Sequence, residues 1–105
     1  MVGSRASPTL ITAGGGITFG GFAHECQFVA GNAVPVTISA DPQITDGTVV
    51  GQRVTLIGCS DTDTLTVESA RGILSNGTVV LILGGIATYF WDGTDWILEM
   101  WNELV

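Results

Sequence analysis

Lysine is absent from this 105-residue sequence, and its only arginines are Arg5, Arg53 and Arg71, set against ten carboxylates for a net charge of −7. Phosphate backbones are held by clustered cations that displace counterions, so this balance argues against nucleic acid and against anionic membrane surfaces as partners. Cysteine is scarce as well. Cys26 and Cys59 allow at most one bridge, far from the density of a disulfide-stapled secreted scaffold, and two buried thiols are the expectation. No apolar run reaches the roughly 18 residues of a membrane helix: the longest, from Val79 to Trp91, is interrupted by Gly84, Gly85 and Thr88. The start of the chain has one basic residue and no apolar stretch of signal length, so no signal peptide is expected.

Charged residues make up 12% of the chain, about half the roughly 25% of ordinary soluble proteins, while 46% is hydrophobic. A chain of this length holds one core. So few charges leave a lone small domain short of surface-coating residues, and with a membrane span and a disulfide scaffold set aside, association between copies is the expected remedy. The acidity keeps the chain in solution. Glycine clusters at Gly14–Gly16 and Gly20–Gly21, so residues 1–22 are expected to form a pliable arm and residues 23–105 the folded module.

The apolar runs are short, rich in Val, Ile, Thr and aromatics, and broken at close intervals by Gly, Asn and Asp, which is strand patterning with no helical spacing. Strands are expected near 27–30, 34–39, 53–58, 64–68, 78–83, 86–91 and 96–101. About seven short strands give an all-β fold, a small β-sandwich or β-roll. Asp92-Gly93, between Tyr89–Trp91 and Trp96–Leu98, is the clearest hairpin turn, with Asn76-Gly77 and Asp46-Gly47 as further candidates. Residues 44–50 and 74–80 echo each other in order and turn type, although two copies do not make a solenoid.

Catalytic and cofactor patterns are thin. The glycines lack the GxGxxG-to-helix context and the P-loop Lys, so neither dinucleotide nor phosphate-loop binding is expected. His24 and Cys26 are two apart and face the same side of a strand, but this is the sole histidine and zinc wants three or four protein ligands. Asp61 with Asp63, and Asp92 with Asp95, have calcium-like spacings without the full ligand series, and read better as turn residues; as paired carboxylates they would also be what a small hydrolase needs. The Asn76-Gly-Thr78 sequon likewise reads as a turn. No catalytic residue, metal or cofactor is expected.

Two sets of residues carry interaction potential. Val79–Leu83 is apolar on both faces and the chain ends Met100-Trp-Asn-Glu-Leu-Val, so Val80, Ile82, Trp101, Leu104 and Val105 are the candidate subunit interface. Tyr89, Phe90, Trp91, Trp96 and Trp101 form an aromatic run suited either to core and interface or to stacking on a saccharide. On the second use, Tyr89, Trp91, Asp92, Asp95 and Trp96 are the candidate glycan contacts. Strict alternation would send Trp96, Leu98 and Met100 to one side of the strand and Ile97, Glu99 and Trp101 to the other, so the three tryptophans would not share a site.

The order Gly51-Gln-Arg-Val-Thr-Leu-Ile-Gly58, Ser60-Asp-Thr-Asp-Thr-Leu-Thr-Val67, Leu74-Ser-Asn-Gly77, Leu81-Ile-Leu-Gly84 and Ala87-Thr-Tyr-Phe-Trp-Asp-Gly-Thr-Asp-Trp-Ile-Leu-Glu99 resembles the β-rich distal modules of bacteriophage fibre and tail-spike proteins. The resemblance covers roughly residues 27 to 101 and is strongest in the closing hairpin around Asp92-Gly93 and Trp96. It implies a non-catalytic structural module of a phage or prophage appendage, homotrimeric, located on a virion or in the cytoplasm before assembly. An adhesin module that touches a host-surface glycan is the alternative it leaves open.

Overall fold

The computed structural model describes residues 8–102, and these form nine strands and no helix. Among the described residues no helix is therefore long and apolar enough to cross a membrane. The strands are β1 (Thr9–Ile11), β2 (His24–Gly31), β3 (Val36–Thr37), β4 (Arg53–Gly58), β5 (Leu65–Val67), β6 (Ile73–Leu74), β7 (Val79–Leu81), β8 (Ile86–Trp91) and β9 (Trp96–Asn102). They make a six-stranded sheet in the order β1-β2-β4-β8-β9-β6 and a three-stranded sheet in the order β3-β5-β7. The all-β expectation holds, with β1 and β6 as two additional short edge strands.

The first part of the chain is wound as a coil of parallel ladders. His24 pairs with Arg53 and Val36 with Leu65, so residues 29 apart lie side by side in both sheets. β1 runs parallel to β2, and an isolated parallel bridge joins Ile17 to Ile44. The structural repeat is thus 24–37 with 53–66, whereas the sequence echo of 44–50 with 74–80 joins segments that are not laddered to each other. The last part is antiparallel: β8 lies against β4 and turns back as β9.

Side chains facing the gap between the sheets form the core: Val54 and Leu56 of β4, Tyr89 and Trp91 of β8 and Trp96 of β9 meet Val36, Leu65, Val67, Val79 and Leu81. The glycine-rich start joins them. Ile11, Ile17 and Phe19 are buried in the same cluster, so packing sets no boundary at residue 22. These residues are recruited by β1 and the Ile17 bridge, long-range pairings that leave no local mark in a stretch punctuated by glycine. Met1–Ser7 of the expected arm lie outside the described residues.

The Asp92-Gly93 hairpin is present, with Trp91 and Trp96 paired across it. Gly93 takes a φ of 103°, and the Asp92 carboxylate accepts hydrogen bonds from the N–H groups of Thr94 (2.8 Å) and Asp95 (2.7 Å). Those two N–H donors hold the Asp92 carboxyl below its ordinary range. Asn76-Gly77 also turns the chain, but it joins β6 to β7, which belong to different sheets and do not form a hairpin.

Candidate functional site

The tryptophans are structural pillars. Trp96 is fully buried, with Phe19 edge-on at 4.9 Å and Trp91 tilted at 5.2 Å, and its indole N–H donates to the Thr45 carbonyl at 3.1 Å. Trp91 packs against Gly47, where a Cβ would come within 2.4 Å of the indole. Tyr89 is equally buried, and burial pushes its hydroxyl well above the usual tyrosine range. Three of the five candidate glycan contacts, Tyr89, Trp91 and Trp96, are thus inside the domain, where no saccharide can stack on them; only Asp92 is exposed and Asp95 half-buried.

Alternation along β9 is broken by a β-bulge. Thr88 faces Met100 and the next residue, Tyr89, faces Leu98, so Glu99 is the extra residue. Trp101 is thereby returned to the inner side with Trp96 and Leu98, and it packs against the core. All three tryptophans share one face, contrary to strict alternation, and Trp101 is a core-facing residue rather than an outward interface one. Of the other candidate interface residues, Val80 stands 40% exposed on the edge strand β7 and Ile82 is half-buried beside it. Leu104 and Val105 lie outside the described residues.

The outer face of the six-stranded sheet was not singled out by sequence reading, and it carries a continuous set of apolar side chains. Strand register aligns Leu74, Ile97 and Phe90 in one row that continues through Arg53 to His24. Two residues along the strands, Cys26, Thr55, Thr88 and Met100 are aligned, and beyond them Phe28, Ile57 and Ile86. Leu10 of β1 extends the surface beside Ala30. The signal was present in β8, where both alternate sets, Ile86-Thr88-Phe90 and Ala87-Tyr89-Trp91, are largely apolar, as in a strand with both faces covered.

Polar groups on this face satisfy one another. His24 Nε2 lies 2.9 Å from Thr55 Oγ1, which lies 2.9 Å from Thr88 Oγ1, a hydrogen-bonded chain across three strands. His24 is thus engaged by Thr55 and not by Cys26. Arg53 makes a bidentate pair with Glu99 at 2.8 and 3.0 Å, and its guanidinium sits over the Phe90 ring at 5.2 Å. Each ion favours the charged form of the other, so the Arg53 pKa is raised and that of Glu99 lowered. Both cysteines are free thiols, Cys26 exposed and Cys59 half-buried, and the expectation of two buried thiols fails because Cys26 points outward from β2.

Elsewhere, Asp61 accepts a hydrogen bond from the Leu83 N–H, and the Ser60 hydroxyl accepts those of Thr62 and Asp63, so this acidic stretch is occupied as a turn. Among the described residues no three His, Cys, Asp or Glu side chains are grouped as metal ligands. An open depression of about 410 Å³ is lined by Gly21, Ala23, Val49, Val50, Gly51 and Gln52, none of them ionisable. Comparison with protein-family models, with curated proteins and with solved structures finds no match.

Proposed function

We propose that this chain is a non-catalytic structural module that works by associating with copies of itself, as a homotrimer in a phage or prophage fibre-like appendage. The observation that carries the reading is the amount of apolar surface left bare in a chain so poor in charge. Phe22 is 67% exposed, and Leu10, Leu74 and Met100 each stand close to half exposed. Bare apolar area of this kind marks interaction surfaces. Each 100 Å² covered by a neighbour contributes about 2.5 kcal/mol before the cost of association. The setting and the threefold number come from the resemblance to fibre modules alone.

Light scattering and sedimentation over a wide concentration range test the reading. The expected result is a single species of three times the chain mass that persists on dilution. A solitary species at every concentration would overturn it.

A further inference from the structure

We infer that copies of this chain meet through the outer face of the six-stranded sheet, rather than through the β7 edge or the loops around the open depression. The inference rests on the self-association reading and adds the surface to it. Three observations point to this face and to a second copy as its occupant.

The first is composition. Phe28, Ile57 and Ile86 form one apolar row, Phe90, Ile97 and Leu74 another, with the paired threonines between them. These side chains do not belong to the core cluster, which fills the opposite side of the sheet. β1, β2 and β4 are joined by parallel ladders, an arrangement that proteins seldom leave bare on one side.

The second is charge. The molecule carries −7, so a copy of itself is repelled by most of its surface. Among the described residues the sheet's outer face holds one carboxylate, Glu99, and that one is neutralised by Arg53. Glu25 turns the other way, to the Gly20 N–H, and the described aspartates lie in loops. This is where an equally acidic copy meets no net like charge, whereas a basic partner would favour the acidic loops. The polar atoms of the face also bond to one another, so covering them leaves little unpaired.

The third is extent. Six strands at about 4.8 Å spacing and some five or six residues of strand length give a footprint of roughly 25 by 20 Å, about 500 Å² before corrugation. Specific interfaces begin near 600 Å² per partner, so the flat footprint supplies most of that lower bound.

Met100→Glu and Leu74→Glu change exposed side chains on this face, so both variants are expected to fold; Val49→Glu, more exposed and beside the depression, is the control. An unpaired carboxylate buried between copies should raise the dissociation constant at least ~100-fold for the first two and leave the control associated. Cys26 supplies a readout without mutation. Its alkylation by iodoacetamide, followed by peptide mass spectrometry, should be about tenfold slower in the wild-type assembly than in the dissociated Met100→Glu variant, because access controls thiol reaction. If the assembly survives both face variants and Cys26 labels as fast within it as in the unfolded chain, this surface is wrong while self-association stands. If the wild type is monomeric throughout, the self-association reading falls and the surface with it.

Discussion

Replacing Gln43 by leucine removes an amide that stands in for a missing strand. Gln43 is fully buried where the chain crosses between the two sheets, and its backbone N–H donates to the Arg71 carbonyl at 3.0 Å. Its side chain bonds the segment that links β5 to β6: Oε1 accepts from the Glu68 N–H at 3.0 Å, and Nε2 donates to the carbonyls of Glu68 (2.8 Å) and Ala70 (2.6 Å). Leucine has similar bulk and none of these bonds. Both carbonyls keep a backbone donor, the Ala70 N–H on Glu68 and the Ile73 N–H on Ala70, each at 3.0 Å, which leaves the Glu68 N–H stranded. At about 1–3 kcal/mol for an unsatisfied buried group, the expected loss is ~1–3 kcal/mol. Unfolding entropy near 2.1 cal/mol/K per residue makes each 1 kcal/mol worth about 4–5 °C in a chain of this length. The melting temperature, followed by circular dichroism, should therefore fall by roughly 4–15 °C, with a matching drop in the urea midpoint. A Gln43→Leu protein that melts within about 3 °C of the parent would refute the reasoning and show that solvent reaches the Glu68 N–H.

Tyr89 is the only tyrosine, and its buried hydroxyl has no hydrogen-bond partner among the described residues, so Tyr89→Phe should be neutral or stabilising by up to about 1–2 kcal/mol in urea titration. Because burial raises the folded pKa above the unfolded value near 10, the stability is intact below pH ~10 and declines above it by up to about 1.4 kcal/mol per pH unit. Absorbance near 295 nm should accordingly show tyrosinate appearing only as the protein unfolds in alkali; smooth ionisation of the folded protein near pH ~10 would contradict the burial. Gly47→Ala would put a methyl group 2.4 Å from Trp91 Cγ, inside a packed aromatic cluster, and should cost about 1–3 kcal/mol with a shift in tryptophan emission; an unperturbed spectrum and midpoint would count against the packing.

Local chemistry made some elements readable and topology hid others. Arg53–Gly58 and Ile86–Trp91 stand in the structure with the bounds their composition suggests, and Asp92-Gly93 turns where its side chain and positive φ allow. Their partners were not readable, because a parallel ladder joins His24 to Arg53 across 29 residues without requiring any likeness between the two strands. The short edges β1 and β6 are too brief for a periodic signal. The bulge at Glu99 reversed the side on which Trp101 falls, and with it the division of the aromatics between core and surface. The apolar outer face was legible in principle in β8, but Val79–Leu83 drew the same inference more visibly, and there Val80 lies on an edge strand.

The glycine-rich start shows why composition misleads at the coil's first turn. Strands in a coil gain their partners from neighbouring turns, so a rung can be held by a few well-placed side chains while the residues between them remain small and polar. Phe19 sits against Trp96, its N–H donates to Thr45 Oγ1 at 2.7 Å, and the same Thr45 receives the Trp96 indole N–H on its carbonyl. Thr45 therefore ties the first turn of the coil to the last hairpin of the chain. With Ile17 bridged to Ile44 alongside, the segment that reads as a linker acts as one wall of the core. A domain closed in this way, with its aromatics committed to joining first turn to last, has its remaining apolar strand faces directed outward, and those are the surfaces left for other molecules to cover.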